Sequence, residues 1–582
     1  MKKSLDFAIS GAEREIADKS MHMALDAGAS AVMVSLDKAK TEIYALLDGE
    51  IDNIRQTGDR SLTFNIYADG KYGTFSTNRF EEESLRDFLC KAVETVRMLV
   101  ADPFRGLPDK KDLATDAVNG DEMGLCWYGY DSVSRDEKLE MARRVSVFGE
   151  FSAPSSDRNW RVVSEEVEYN NTLSDTYLTS SDGCRCRQTE TSFEVSSQVT
   201  VEDNEGNKYS GLWWDYGVSP EKVLSSECGR KAVEMAVMQI APVNADKGKY
   251  TMVVSRLVSG RLLQPVLNAL SSLSVYQKSS FLVDALGKQV FSKGLNVMDM
   301  PLEKGKSGAI LFETDGRACR NREIITDGVV KENFTSIYMS RKLGIPPTSS
   351  CPNRPVLQPF VSEELLGGER GGVSGAGLDG PGLGGDCGGV SGDGLGGPGL
   401  GSVSGDGRGD GLGAASGDER GVELGAVNGC GRGAELGVVN GGERGVELGA
   451  VNGGERGVER GVVNGGGRGT ELADGLGAER GLKADPFVNE IAQKDILDLC
   501  GSGILVTDFN GGNCNSATGD FSYGVSGFLF ENGKITSPID SMLITGNMTD
   551  LWSNLLAAGS DPVPGMSRQV PTLAFRDVTF NA

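Results

Sequence analysis

At 582 residues with a formal net charge of −24, the chain is too long for one ordinary hydrophobic core and predicts at least two folded units of roughly 100–200 residues each. The acidic balance repels phosphate backbones, and no Lys/Arg run with interleaved aromatics offsets it, so nucleic-acid binding is disfavoured as a primary role. His22 is the only histidine, which argues against a histidine-built zinc or catalytic centre.

The first residues carry lysines but no apolar core of a signal sequence, and no apolar run approaches the roughly 18 residues that span a bilayer. A cytoplasmic protein without membrane contact is expected. Eleven cysteines at irregular spacing read as reduced thiols rather than a disulfide framework. Cys184 and Cys186 are close-spaced, but without a second Cys/His pair they read as two thiols near a strand.

Ile16, Met21, Ala24 and Leu25 predict a helix over 11–27, followed by a strand near Ser30 to Leu36. Leu62, Phe64 and Ile66 alternate ahead of an Asp69-Gly70 turn and a strand from Tyr72 to Phe75, a hairpin signal. Leu85, Phe88, Leu89, Ala92, Val93 and Val96 share one helical face over 81–101, with Asn78 and Glu81 at capping-box spacing. A second box, Ser134 to Glu137, opens a helix to about Phe148. Strands from Arg161 to Tyr169 and Thr189 to Val201, with a turn at 204–207, predict a β-rich region. Ser219-Pro220 then starts a helix to about Ile240. After the strand from Tyr250 to Val254, hairpin turns at Asp315-Gly316, Asp327-Gly328 and Asn532-Gly533 predict a largely antiparallel sheet or barrel, with short helices around 336–343 and 548–557.

Between Gly367 and Leu482 the sequence becomes glycine-rich, without aromatics or lysine, and from Glu419 it runs as a 12-residue tandem repeat. So little apolar area does not offset roughly 1–2 kcal/mol of backbone entropy per ordered residue, so disorder is expected, with a stacked glycine-rich solenoid as the second reading. The predicted architecture is α+β: an N-terminal domain over 1–245, β-rich from about 155, a C-terminal β-rich domain over 246–361 and 487–582, and an insertion over 362–486.

Several segments resemble one family. VYQKSSFLVDALGKQVF at 275–291, the IITDGVV hairpin within Arg322 to Phe334, Tyr338 to Gly344, ATGDFSYGVSGFLFENGKITSPI at 517–539, Gly546 to Trp552 and Gly559-Ser560-Asp561 are similar to the PmbA/TldE-like branch of the TldD/PmbA family, once called modulators of DNA gyrase. The resemblance spans essentially the whole chain outside the insertion.

It implies a two-domain architecture and a metallopeptidase context. In the TldD branch a His-Glu-x-x-x-His helix start and a later Cys supply the zinc ligands and general base. The matching positions here are Ser255, Arg256 and Gly260, and no Cys follows Cys514. The resemblance therefore implies a non-zinc subunit: no metal or cofactor in this chain, zinc in a TldD-like peptidase partner, and unfolded peptides or small proteins as substrates. The strand Gly503, Ile504, Leu505, Val506 and Thr507 is taken as a sheet edge able to capture such peptides by strand addition. Two alternatives stand beside this: a stand-alone scaffold or regulatory binding protein, and a metallopeptidase with unrecognised ligands. His22 receives no role, Cys319, Cys500 and Cys514 lack a histidine partner, and Asp508 and Asp520 read as turn and capping carboxylates rather than an acid/base pair.

Overall fold

The computed structural model describes residues 5–367 and 491–581. Most of the predicted insertion, with its tandem repeat, lies outside the described residues. Its first residues do not: Glu363–Gly367 is a short helix, and Leu365 packs on the apolar core of the C-terminal half.

The N-terminal half is built on a six-stranded antiparallel sheet of order β3-β2-β1-β4-β5-β6. Its strands are β1 (Ala31–Leu47), β2 (Glu50–Ala68), β3 (Lys71–Thr77), β4 (Trp160–Ser180), β5 (Arg185–Asp203) and β6 (Lys208–Gly217). Helices α1 (Gly11–Asp26) and α2 (Glu82–Met98) pack on one end of the sheet, burying Val34, Leu36, Phe64 and Ile66 against Ala24, Leu85, Leu89 and Val93. At the other end lie α3 (Arg135–Val145), α4 (Phe148–Phe151), α5 (Glu221–Leu224) and α6 (Cys228–Val237).

The helix starts follow local chemistry. Ser10 and Glu13 form a capping box on α1, and Ser134 and Glu137 form the predicted one on α3. The box predicted from Asn78 and Glu81 does not form: Glu81 is itself the N-cap of α2 and makes no side-chain cap. The helix predicted from Pro220 to Ile240 is two helices, broken over 225–227, where the Ser226 hydroxyl accepts from the Cys228 N–H at 3.1 Å and donates to Asp215 at 2.7 Å.

The C-terminal half begins with β7 (Gly248–Val254), α7 (Gly260–Ala269) and α8 (Ser272–Tyr276). A small sheet of order β10-β9-β8-β11 follows, made of β8 (Val297–Asp299), β9 (Arg322–Thr326), β10 (Val329–Val330) and β11 (Pro355–Leu357), with α9 (Ile337–Leu343) beside it in sequence. The remaining elements are β12 (Phe360–Val361), α10 (Glu363–Gly367), α11 (Gln493–Cys500), β13 (Gly503–Cys514), β14 (Asp520–Glu531), β15 (Lys534–Asn547), α12 (Met548–Ser553), β16 (Leu555–Ala558) and β17 (Leu573–Asn581).

Five of these strands close a ring. β7 pairs with β13, β13 with β14, β14 with β15, β15 with β17, and β17 returns to β7. Only β7 and β13 run parallel within it. Ring closure pairs the backbone N–H and C=O groups along its seams, so these apolar strands can be buried without leaving those groups unpaired. The helix predicted to run to 557 stops at Ser553, since Leu555–Ala558 is drawn into pairing with β17.

Candidate functional site

The segment Ser255 to Gly260 links β7 to α7 and is bonded on every side. Ser255 is fully buried: its N–H donates to the Val506 carbonyl at 2.9 Å, and its own carbonyl accepts from the N–H groups of Val258 and Ser259 at 3.0 and 2.9 Å. The Arg256 guanidinium donates to the main-chain carbonyl of Asp561 at 3.2 Å. Asp561 is fixed in turn, its carboxylate accepting from the Thr572 N–H at 3.0 Å, the Thr572 hydroxyl at 2.9 Å and the Gln493 N–H at 3.2 Å. The Ser259 hydroxyl donates to the Val570 carbonyl at 3.1 Å, Arg261 to the Phe509 carbonyl at 3.0 Å, and the Trp552 indole to the Leu262 carbonyl at 3.2 Å. The start of α7 is therefore stapled to four separate parts of the C-terminal half.

These residues do not fit a zinc ion. A guanidinium offers no lone pair and its fixed positive charge repels a divalent cation. Gly260 offers no side chain, and the Ser255 hydroxyl, which accepts from the Leu257 N–H at 3.4 Å, is a neutral oxygen where zinc centres use imidazole, thiolate or carboxylate. His22 lies exposed on α1, within the N-terminal half. Among the described residues no group of three His, Cys, Asp or Glu side chains is arranged to hold a metal ion.

Two family models match this chain. The PmbA/TldA metallopeptidase C-terminal domain matches residues 247–361 and 482–582, and the PmbA/TldA metallopeptidase central domain matches residues 128–240. The chain belongs to the TldD/PmbA family. Among its relatives, the metalloprotease PmbA of Escherichia coli O157:H7 is 21% identical over 94% of this chain and 92% of its own. A PmbA homologue of Haemophilus influenzae is 22% identical over 94% and 91%. Among solved structures, a modulator of DNA gyrase from Bacteroides thetaiotaomicron is 25% identical with a TM-score of 0.71, covering 99% of this chain and 100% of that one. TldE from Thermococcus kodakarensis shares the fold at 12% identity and a TM-score of 0.61, covering 97% of this chain and 100% of that one. The two-domain TldD/PmbA fold is thus that of this chain.

Within this family fold, one sequence expectation is corrected. Gly503 to Thr507 is not an edge: Ile504, Leu505 and Val506 pair with Met252, Val253 and Val254 of β7 on one side and with Leu529, Phe528 and Gly527 of β14 on the other. All three are fully buried. β7 and β14 consume both rows of its backbone groups, so no peptide can add there.

The other candidates separate. Cys184 and Cys186 lie with their sulfurs 3.6 Å apart, buried beside Met33, Leu178 and Phe312. The hydrogen bond with Cys184, together with burial, pushes the Cys186 thiol well up. Burial likewise raises the Cys319 thiol, and takes Cys500 to about 12, so neither is a ready nucleophile at neutral pH. Asp508 stands opposite Ser526 while Asp520 stands opposite Asn547, so the two carboxylates do not face each other. Asp520 accepts from the Asn547 amide at 3.0 Å and the Thr518 hydroxyl at 2.8 Å, bonds that hold its carboxyl below the usual range.

Sequence reading missed the length of the first hairpin. β1 and β2 continue far past the predicted strands and meet at Asp48-Gly49, whose φ values of 52° and 85° suit a tight hairpin turn. An Asp-Gly pair between Leu47 and Ile51 was the available signal.

Proposed function

We propose that this chain is the non-zinc, PmbA/TldE-like subunit of a heteromeric TldD/TldE-type metallopeptidase of the cytoplasm, acting on unfolded peptides or small proteins. A TldD-like partner would carry the zinc. The observation that carries this reading is the state of the 255–260 segment. Where the resemblance places two histidines and a general base, this chain has a serine without a free environment, an arginine spent on Asp561 and a glycine. The contacts that replace metal ligation are structural, which suits a subunit that completes an assembly rather than performing hydrolysis. Family membership and the metalloprotease names of its relatives support the peptidase context.

The test is co-expression with a TldD-like chain bearing His-Glu-x-x-x-His from the same genome. Affinity capture of this chain should bring that partner down in fixed ratio, zinc should be found in the partner, and cleavage of an unfolded polypeptide should need both. A partner that neither co-purifies nor gains activity sinks the reading. Stoichiometric zinc held after dialysis by this chain alone would instead make it a peptidase in its own right.

A further inference from the structure

The long β1–β2 hairpin leaves part of the N-terminal sheet open. β2 pairs with β1 from Glu50 to Tyr67, but β3 covers its other side only from Leu62 to Ala68. From Glu50 to Ser61 the outer row of β2 backbone groups meets no other strand among the described residues, and Arg55 to Arg60 are all exposed. Edges of this length are ordinarily blunted by charged side chains, lysine above all, by proline or by a covering element, and the charges here, Glu50, Asp52, Arg55, Asp59 and Arg60, are of both signs and so can pair across a two-fold axis. The sequence from Glu50 to Ser61 has neither Lys nor Pro.

We propose that this edge pairs with the same edge of a second copy of this chain, the two β2 strands running antiparallel about a two-fold axis at Thr57. A two-fold contact must be self-complementary. Outward-pointing backbone groups alternate along a strand, so two identical strands match only when the axis passes through a residue rather than between two. With the axis at Thr57, Arg55 of each copy stands opposite Asp59 of the other, and Thr57 stands opposite itself. Opposite charges and Thr pairs directly across a ladder are favourable.

Both charges are available. Arg55 donates only to the Asn53 side chain, at 3.1 Å, and Asp59 accepts only from the Arg60 N–H, at 2.8 Å, among the described residues. Two axes on the N-terminal side of Thr57 are worse. An axis at Arg55 sets two guanidiniums face to face. One at Gln56 puts Asp52 opposite Arg60, whose guanidinium is already engaged 4.4 Å over the Phe80 ring and 3.7 Å from Glu13. The Thr57 axis also extends a hydroxyl row that already crosses the sheet. Thr57 pairs with Thr41, Thr41 with Thr172 at a hydroxyl separation of 3.1 Å, and Thr172 with Ser192. So short a polar contact gives a weak, concentration-dependent dimer rather than a permanent one. It is independent of the zinc-subunit reading.

Sedimentation velocity of the full chain over a concentration series should show a monomer–dimer equilibrium. Arg55→Glu and Asp59→Arg should each shift it about tenfold toward monomer, the effect of losing roughly 1.4 kcal/mol, and the R55E/D59R double exchange should restore it. Thr57→Cys should give an intermolecular disulfide at position 57, mapped by mass spectrometry, in higher yield than Gln56→Cys gives at 56. Circular dichroism of each variant establishes that the exposed substitutions leave the fold intact. A chain monomeric at every concentration, a dimer indifferent to Arg55→Glu, or an edge occupied only by a TldD-like chain would each overturn the proposal.

Discussion

The Arg256 guanidinium donates to the carbonyl of Asp561 at 3.2 Å, tying the β7–α7 turn to the segment that leads into β17. A hydrogen bond from a charged donor is worth roughly 1.5–3 kcal/mol, and partial exposure trims it. Arg256→Ala is therefore expected to lower unfolding stability by about 1–2 kcal/mol without changing the zinc content of the isolated chain. Urea denaturation and elemental analysis read both. An unaltered midpoint, or zinc bound stoichiometrically by the variant, would show that Arg256 is not a brace.

An ion pair lies deeper, in the N-terminal half. Asp175 is 1% exposed and accepts from Arg187 Nη2 at 2.6 Å, from the Thr189 hydroxyl at 3.0 Å and from the Ile9 N–H at 2.7 Å, so it also pins the N-terminal segment to the sheet. Removing one partner of a buried pair strands the other charge and typically costs about 3–5 kcal/mol. Asp175→Ala should lose stability of that order and expose the chain before Gly11 to limited proteolysis. A variant with unchanged melting and an uncut N-terminus would contradict this.

How much of this was legible in the sequence depends on how local the determinant is. The box on α3 and the turns at Asp69-Gly70, Asp327-Gly328 and Asn532-Gly533 were readable because a few adjacent residues decide them, and all three turns take positive φ at both positions. The Cys184–Cys186 contact follows from strand alternation, which puts both thiols on one face. The status of Gly503 to Thr507 was not local. An apolar run such as Ile504-Leu505-Val506 suits a strand paired on both sides at least as well as an edge, and the strand that covers its second side, β7, comes from far earlier in the chain. The zinc-site reading came through resemblance. The replacement contacts of Ser255 and Arg256, made to Val506 and Asp561, needed the fold.

Glu313 gives a pH test. Burial first, and then the nearby Asp315, raise its carboxyl above the ordinary 4.5, while the side chain accepts from the Asn353 amide at 3.1 Å. Because the folded value lies above the unfolded one, the folded state binds the extra proton. This carboxyl therefore carries no penalty below about pH 4.5 and costs stability as pH rises through its folded value. Glu313→Gln mimics the protonated form. The variant should melt with the parent at pH 4 and above it at pH 7. Equal melting at both would show that Glu313 is not held neutral by burial.

The close approach of β13 and β14 gives the sharpest steric prediction. A Cβ at Gly527 would come within 1.9 Å of the Leu505 carbonyl oxygen, and the obstacle is backbone, which cannot rotate aside. Val506 stands opposite Gly527 immediately before a register shift between Val506 and Asp508, and on its other side β14 shifts against β15 between Val525 and Gly527, so the strand is irregular at this point. Gly527→Ala must push β14 off β13 and loosen the ring. Overpacking of this kind usually costs about 1–3 kcal/mol, and a backbone clash sits at the upper end. Gly248→Ala is the control on the same ring, since a Cβ there meets nothing closer than a Tyr250 ring carbon at 3.6 Å. Urea midpoints should separate the two by about 2 kcal/mol or more, with Gly248→Ala close to the parent. If Gly527→Ala unfolds with its control, the β13–β14 seam has room to spare, and the burial of Ile504 to Val506 must come from something other than a tight ring.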